Sequence, residues 1–320
     1  MGRPEQGRRA PLAAPLLALL AAACAGGRPT APVTAAAAEA RPAAPPTAAA
    51  TQGQAPGQPP AGAPYPPPDR TQLPWSRAAV PLLAIGEVET GQAAGGAWWR
   101  VGTTRGAVVA WRPAGYHPRE AGVVVYLHGY FTTVDQAVAE HRLFEQFRQS
   151  GKSALFIAPE APAWNGEDSV WPDLAALLGE VCRRTGLTPP QGPLVVAAHS
   201  GGFRTTLLWL GEPRLEEILL LDGLYRGEEQ LRGWLEAPSQ VSRRLVLVSD
   251  ETRDKAEALA AATPGAVWLP RVPPLRPGLE GAARSARLVA IRSQHGHMVI
   301  VEKGEVLPVL LRATRLAPVR

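Results

Sequence analysis

The chain has 320 residues, of which 46% are hydrophobic, and a formal net charge of +5 at pH 7. This length is sufficient for one large core or two small ones. Residues 73–320 carry nearly equal numbers of basic and acidic side chains, so the charge gives no reason to expect a nucleic-acid partner.

The first residues are typical of an export signal. A short apolar stretch, Leu12–Leu20, follows three arginines, Arg3, Arg8 and Arg9. This stretch is too short for a typical membrane span, and we expect residues 1–23 to be a signal peptide. The small residues before Cys24 resemble the lipobox of bacterial lipoproteins, although Ala21 stands where a large aliphatic residue is usual. The resemblance implies that Cys24 is lipidated, and the alternative is ordinary cleavage with a free cysteine.

Residues 24–72 are rich in alanine, proline, glycine and glutamine and contain almost no large apolar side chains. Such a segment cannot bury enough surface to offset its chain entropy, so we predict a disordered tether before a folded domain at 73–320. A long tether favours lipidation, since an anchored domain needs reach. We therefore expect an exported protein anchored to a membrane of a bacterial envelope, or otherwise a periplasmic or secreted one.

The folded domain shows alternating strand and helix patterns. Residues 98–101 and 107–111 flank a turn at 102–106 and predict a β-hairpin. Six continuous apolar runs follow, which predict strands buried on both faces, at 123–127, 154–158, 194–198, 217–221, 245–249 and 288–291.

Helical segments are predicted between these runs, at 134–150, 172–185, 203–211, 228–236, 253–262 and 306–316. This alternation favours an α/β fold with a doubly wound, mostly parallel sheet, helices on both faces and the antiparallel hairpin at one edge. Two longer loops, at 159–171 and 263–281, follow strands and are expected to lie near a substrate. In the first, Trp164 could stack on a substrate or simply anchor the loop.

Ser200 is the strongest candidate for a catalytic residue. It lies between an apolar strand and a helix in the segment Ala198–Gly202, where small neighbours permit the sharp turn of a nucleophile elbow. His128 and Gly129 follow the first strand of the series. With these motifs, the chain resembles the α/β-hydrolases over about residues 95–316, and Ala198 departs from the usual glycine.

The resemblance implies an oxyanion hole formed by the amides of Tyr130 and Gly201, and a triad in the order Ser, Asp, His. His297 is the favoured base, because Gly296-His297 matches the family pattern, and His295 is the alternative. The acid is Asp222, which follows the strand at 217–221, or else Asp250 in the charged run after the next strand. Asp222 is preferred because Asp250 could instead lie in a solvated helix start.

The resemblance implies a serine hydrolase that acts through an acyl-enzyme intermediate and cleaves a carboxylic ester, and less readily an amide, because esters are the commoner substrates of that family. The expected partners are a small ester or acyl substrate and, through a lipid anchor, a membrane. No cofactor or metal is expected, since the histidines lack a recognisable ligand spacing. The alternative is a non-catalytic surface lipoprotein of the same fold that binds an envelope component or a protein partner.

Overall fold

The structure is a computed structural model that describes residues 83–238 and 242–320. In this part of the chain, ten strands form one sheet. The strands are β1 (Val88–Ala93), β2 (Gly96–Thr103), β3 (Gly106–Pro113), β4 (Gly122–Leu127), β5 (Ala154–Pro159), β6 (Leu194–His199), β7 (Leu215–Leu221), β8 (Arg244–Ser249), β9 (Val267–Leu269) and β10 (Leu288–Arg292).

The sheet is antiparallel at one edge and parallel elsewhere. Its order is β1-β2-β3-β5-β4-β6-β7-β8-β10-β9. The predicted hairpin is confirmed as β2 and β3, which pair antiparallel, and β3 continues antiparallel onto β5. All six predicted apolar runs are confirmed as parallel strands, and each is buried along most of its length because helices cover both faces.

The helices of the described residues are α1 (Val134–Glu140), α2 (Leu143–Ser150), α3 (Leu174–Thr185), α4 (Phe203–Leu208), α5 (Glu228–Glu236), α6 (Arg253–Ala261), α7 (Gly281–Ser285), α8 (Val299–Glu302) and α9 (Leu307–Arg312). Two apolar cores lie between helices and sheet, one on each face. The doubly wound, mostly parallel sheet with helices on both faces and an antiparallel hairpin at one edge is the α/β architecture that the sequence predicted.

Several predicted boundaries were wrong. The helix expected at 134–150 is two helices, since Arg142 has a φ of +48° that ends the first helical path. The break also turns His141 inward, where its Nδ1 lies 3.0 Å from the Tyr126 hydroxyl. The closing helix stops at Arg312 rather than residue 316. The short elements β1, β9, α7 and α8 were not predicted, because each is too brief or too polar to give a periodic signal.

The strand order fixes where a site can form. β5 pairs with one side of β4 and β6 pairs with the other side, so the direction of strand order reverses at β4. β4 and β6 are therefore neighbours at a topological switch point. The connections after these two strands leave in opposite directions and open a crevice at their carboxyl ends. Ser200 follows β6 and Gly129 follows β4, so both lie at this crevice.

The predicted signal peptide, Cys24 and the tether lie outside the described residues. Within residues 83–238 and 242–320, every helix is either too short or too polar to cross a bilayer.

Candidate active site

Ser200 occupies a strained turn between β6 and α4. Its φ is +48°, a left-handed conformation that is costly for a residue with a side chain. A 3-10 turn at Ser200–Gly202 leads directly into α4. Gly202 packs so closely on β4 that an added Cβ would lie 2.9 Å from the Leu127 carbonyl oxygen. The tight strand, turn and helix hold the Ser200 hydroxyl above the sheet edge, as the elbow motif predicted.

His297 lies within hydrogen-bonding distance of this hydroxyl. Its Nε2 is 3.0 Å from Ser200 Oγ, and its Nδ1 is 2.7 Å from Asp222 Oδ2. Burial lowers the pKa of His297, but the hydrogen bond and charge of Asp222, with the charges of Glu251 and Asp250, raise it above its usual value. The imidazole therefore stands between a hydroxyl that it can deprotonate and a carboxylate that stabilises its cation.

Asp222 is fully buried at the end of β7, and it also has a positive φ, of +48°. Its oxygens accept hydrogen bonds from the amides of Asp250, Glu251 and Thr252 at 3.0, 3.2 and 3.0 Å, and from the Thr252 hydroxyl at 2.9 Å. Burial alone would raise the pKa of this carboxyl, but these donors and His297 hold it well below its usual range. Asp222 is therefore ionised at neutral pH and rigidly positioned.

The two alternative residues take other places. The Asp250 side chain is exposed, and its backbone amide supports Asp222. His295 is buried, with Nε2 located 3.3 Å from Glu305 Oε2, and in the described part of the chain no hydrogen bond joins it to Ser200. The geometry thus brings together Ser200, His297 and Asp222.

The loop after β4 packs on the nucleophile turn. An added Cβ on Gly129 would lie 2.9 Å from Ser200 Cβ, so only glycine allows this approach. The Tyr130 ring covers Gly201, where an added Cβ would come within 2.4 Å of the ring. The Phe131 amide donates to the Ala163 carbonyl at 2.7 Å and fixes the loop. The Gly201 amide belongs to the first turn of a helix, whose N–H groups have no acceptor within the helix.

His128 braces the same loop from beneath. It is buried, its Nδ1 donates to the Gly129 carbonyl at 2.8 Å, and its Nε2 accepts from the Ala161 amide at 3.0 Å. Both ring nitrogens thereby contact backbone groups, so His128 supports the loop and does not contact the Ser200 hydroxyl.

A cavity of about 500 Å³ opens beside Ser200 and His297. Its walls are mainly aromatic and apolar, with Tyr130, Phe131, Phe203, Tyr225 and Met298. Its polar lining includes Asn165, Arg226 and His141. The loop at 159–171 does reach the cavity as expected, but through Asn165, whereas the Trp164 ring packs against Gly166.

Tyr225 and Glu251 also lie at the site, although no sequence motif singled them out. The Tyr225 hydroxyl donates to Glu251 Oε2 at 2.9 Å and lies close to the Ser200 side chain. Burial, together with the Glu251 charge, raises the pKa of Tyr225 above its usual range. Glu251 Oε2 is itself 3.9 Å from His297 Nδ1. The one sequence signal for Tyr225 is its place three residues after Asp222, in the loop that ends β7.

His199 is a further residue that the sequence did not single out. It is buried directly beneath His297, and its Nε2 donates to the His297 carbonyl at 3.2 Å. The two ring centroids are 4.7 Å apart. Burial, with repulsion from His297 and His141, lowers the pKa of His199 well below its usual value. His199 is thus neutral, so it adds no positive charge against a His297 cation.

One group of side chains could approach a metal ion. The ligand atoms of Asp222, Glu251 and His297 lie within 4.8 Å of one another. However, His297 Nδ1 and Asp222 are hydrogen-bonded to each other, and the Asp222 oxygens already accept four donors from residues 250–252. The arrangement fits a hydrogen-bonded pair better than a metal centre.

No protein-family model and no curated protein matches the chain. Among solved structures, it is similar to an S-formylglutathione hydrolase from Agrobacterium tumefaciens, with 10% identity and a TM-score of 0.47 over 72% of this chain and 100% of that chain. It is also similar to a feruloyl esterase module from Clostridium thermocellum, with 9% identity and a TM-score of 0.47 over 72% and 96% of the two chains. A thermophilic carboxylesterase cloned from a metagenomic library shares 16% identity, with a TM-score of 0.41 over 73% and 90%.

Proposed function

We propose that this protein is a serine hydrolase that cleaves carboxylic esters through an acyl-enzyme intermediate. The observation that carries the proposal is the continuous hydrogen-bonded series from Ser200 Oγ through His297 to the buried Asp222, at 3.0 and 2.7 Å. A hydroxyl, a base and an orienting carboxylate in this order are the parts that nucleophilic acyl transfer requires.

In the proposed reaction, Ser200 Oγ attacks the ester carbonyl carbon while His297 Nε2 takes the hydroxyl proton. The tetrahedral intermediate collapses, the bond to the alcohol oxygen breaks, and His297 gives its proton to that oxygen. Water then attacks the acyl-enzyme, again with His297 as base, and releases the acid and free Ser200. Asp222 holds the proton of His297 on Nδ1, so that Nε2 faces the nucleophile.

The oxyanion of each tetrahedral intermediate would be bound by the amides of Tyr130 and Gly201. This role is supported by the close packing of the loop after β4 on Ser200, which requires Gly129. Because the amides are fixed by the backbone, they need not reorganise when charge develops, and one such donor contributes about 10²–10³ in turnover.

The test is covalent labelling of the purified protein with a fluorophosphonate probe, with hydrolysis of para-nitrophenyl butyrate measured in parallel. We expect labelling and hydrolysis in the wild type, and neither in Ser200→Ala. Ser285→Ala, a change at an exposed serine on α7, is the matched control and should retain both. A folded wild-type protein that neither reacts with the probe nor hydrolyses esters would overturn the proposal, and labelling that survives Ser200→Ala would move the nucleophile elsewhere.

We further propose that the hydrolase domain is exported and held at a bacterial envelope membrane through lipidated Cys24. Only the sequence supports this part, through the apolar segment, the small residues before Cys24 and the long tether. Mass spectrometry of the mature protein tests it. A diacylated or triacylated N-terminal cysteine is expected, and an unmodified Cys24 or a retained residue 1–23 segment would contradict it.

A further inference from the structure

We propose that the cavity selects esters that carry an anionic group, and that Arg226 binds this group. The inference rests on the proposed hydrolase function, because it names the substrate class of the same site. Arg226 would be a specificity-determining residue, since it contacts the substrate away from the ester carbonyl.

Arg226 is held at the cavity by an aromatic neighbour. It follows Tyr225 in the loop between β7 and α5, and it lines the same cavity as Ser200 and His297. Its guanidinium carbon lies 5.8 Å from the centroid of the Phe203 ring, which is also part of the cavity wall. A guanidinium over an aromatic ring is attracted by the ring's π-electrons and needs no acceptor oxygen for that contact, so its N–H donors stay available for a carboxylate or phosphate.

Two acidic side chains around the loop that carries Arg226 have other partners. Glu228 lies 2.9 Å from the Lys255 ammonium, and Glu251 accepts the Tyr225 hydroxyl at 2.9 Å. Over residues 83–238 and 242–320, no carboxylate oxygen lies within 4.0 Å of the Arg226 guanidinium. Arg226 is therefore a cation beside an aromatic ring, and this part of the chain supplies no counter-ion for it.

The rest of the cavity favours an anion over a cation. None of the described residues that line it carries a carboxylate. A second guanidinium, that of Arg204, lies against the wall, where it donates to the Asn165 carbonyl at 2.7 Å and the Tyr130 hydroxyl at 3.3 Å. The negative charge near the cavity is that of Glu251, whose Oε2 lies 3.9 Å from His297 Nδ1. A substrate anion would thus be attracted by Arg226 and repelled by Glu251.

The anion could belong to the acyl part or to the alcohol part of the ester, and paired substrates distinguish the two sources. For the acyl side, the para-nitrophenyl monoester of adipic acid is compared with para-nitrophenyl hexanoate. For the alcohol side, meta-carboxyphenyl butyrate is compared with meta-carbamoylphenyl butyrate. Each pair differs mainly in one negative charge, so the ratio of kcat/KM within a pair reports recognition of that charge.

In one of the two pairs, we expect the wild type to prefer the anionic ester. Arg226→Gln should lower the anionic-to-neutral ratio of kcat/KM in that pair about 10- to 100-fold, because it removes a hydrogen bond between charged groups. Arg226→Lys should retain part of the preference, because charge remains while the planar donor pair is lost. Added salt should weaken the preference. Arg119→Gln is the control, because it removes an equal charge at an exposed site before β4. This site lies at the amino-terminal ends of the parallel strands, whereas the cavity lies at their carboxyl ends, so both ratios should stay unchanged.

The inference is overturned if the wild type prefers the neutral ester in both pairs, or if Arg226→Gln leaves both ratios as they are. Such a result, with fluorophosphonate labelling and hydrolysis of the neutral esters intact, would reject the anion preference and keep the hydrolase. Failure of the proposed hydrolase is a different result, in which the folded wild type neither labels nor cleaves any of the four esters.

Discussion

His199 and His297 are joined by a hydrogen bond from the His199 Nε2–H to the His297 backbone carbonyl, at 3.2 Å. Their rings pack with centroids 4.7 Å apart. The residue before Ser200 therefore also holds the loop that carries His297. The last residue of β6 thus links the Ser200 turn to the His297 loop.

Replacement of His199 by phenylalanine keeps an aromatic ring at this buried position and removes the donor. We expect kcat to fall about tenfold, since loss of one buried hydrogen bond of about 1–1.5 kcal/mol lets the His297 loop shift, with a smaller change in KM. His141→Phe is the comparison, because His141 contacts His199 and Tyr126 but has no described hydrogen bond to His297. Steady-state kinetics on folded variants check this, and equal losses of kcat in the two variants would contradict it.

Asp222→Asn should lower kcat by about 10⁴, because the amide cannot fix the Nδ1 proton of His297 or stabilise its cation. The same change at Asp250 keeps the backbone amide that supports Asp222 and alters an exposed side chain, so we expect a loss of less than about tenfold. Initial rates with para-nitrophenyl butyrate decide between them. A large loss in Asp250→Asn and a small loss in Asp222→Asn would reverse the assignment.

The pH profile should report His297. The proposed base acts when it is neutral. Burial lowers the pKa of His297, but Asp222, Glu251 and Asp250 raise it above its usual value, so the acidic limb of kcat/KM should have its midpoint above the pKa of an ordinary histidine. Glu251→Gln removes a charge 3.9 Å from Nδ1 and should move this midpoint down by about 0.2–0.7 in pH, as for an exposed ion pair. Glu257→Gln, on the exposed face of α6, should not move it. An upward or absent displacement in Glu251→Gln would show that Glu251 does not act on His297.

The left-handed conformation of Ser200 should lower the free energy of unfolding of the protein. Ser200→Gly relieves a φ of +48°, whereas Ser200→Ala keeps it, and both remove the nucleophile. We expect the free energy of unfolding of the glycine variant to exceed that of the alanine variant by about 1 kcal/mol. Glycine avoids the cost of a left-handed conformation, and this gain is partly offset because glycine has the larger conformational entropy in the unfolded state. Urea unfolding of the two inactive proteins measures the difference. An alanine variant of equal or greater stability would mean that this turn is not strained.

The sequence alone determined the framework of the molecule. Continuous apolar runs such as 123–127 and 194–198 require burial on both faces, so they predict a parallel sheet between two helical layers without any tertiary information. The turn at Ser200 could be predicted for the same local reason, since a polar residue flanked by small residues between strand and helix is a pattern of adjacent positions. The helix break at His141 and Arg142 could not be predicted, because inward burial of His141 depends on Tyr126 in another strand.

Only the tertiary structure decided which carboxylate meets which histidine. Asp222 and Asp250 both follow parallel strands, and His295 and His297 are two residues apart, so the sequence places all four at one sheet edge. The positive φ of Asp222 directs its carboxylate into the amides of residues 250–252 and toward His297, while the Asp250 side chain stays exposed. The position of Arg226 over Phe203 was hidden for the same reason. Strand, helix and turn patterns follow from each residue's neighbours along the chain. The partners of a side chain at the sheet edge depend instead on the backbone turns of other segments, which many different sequences can adopt.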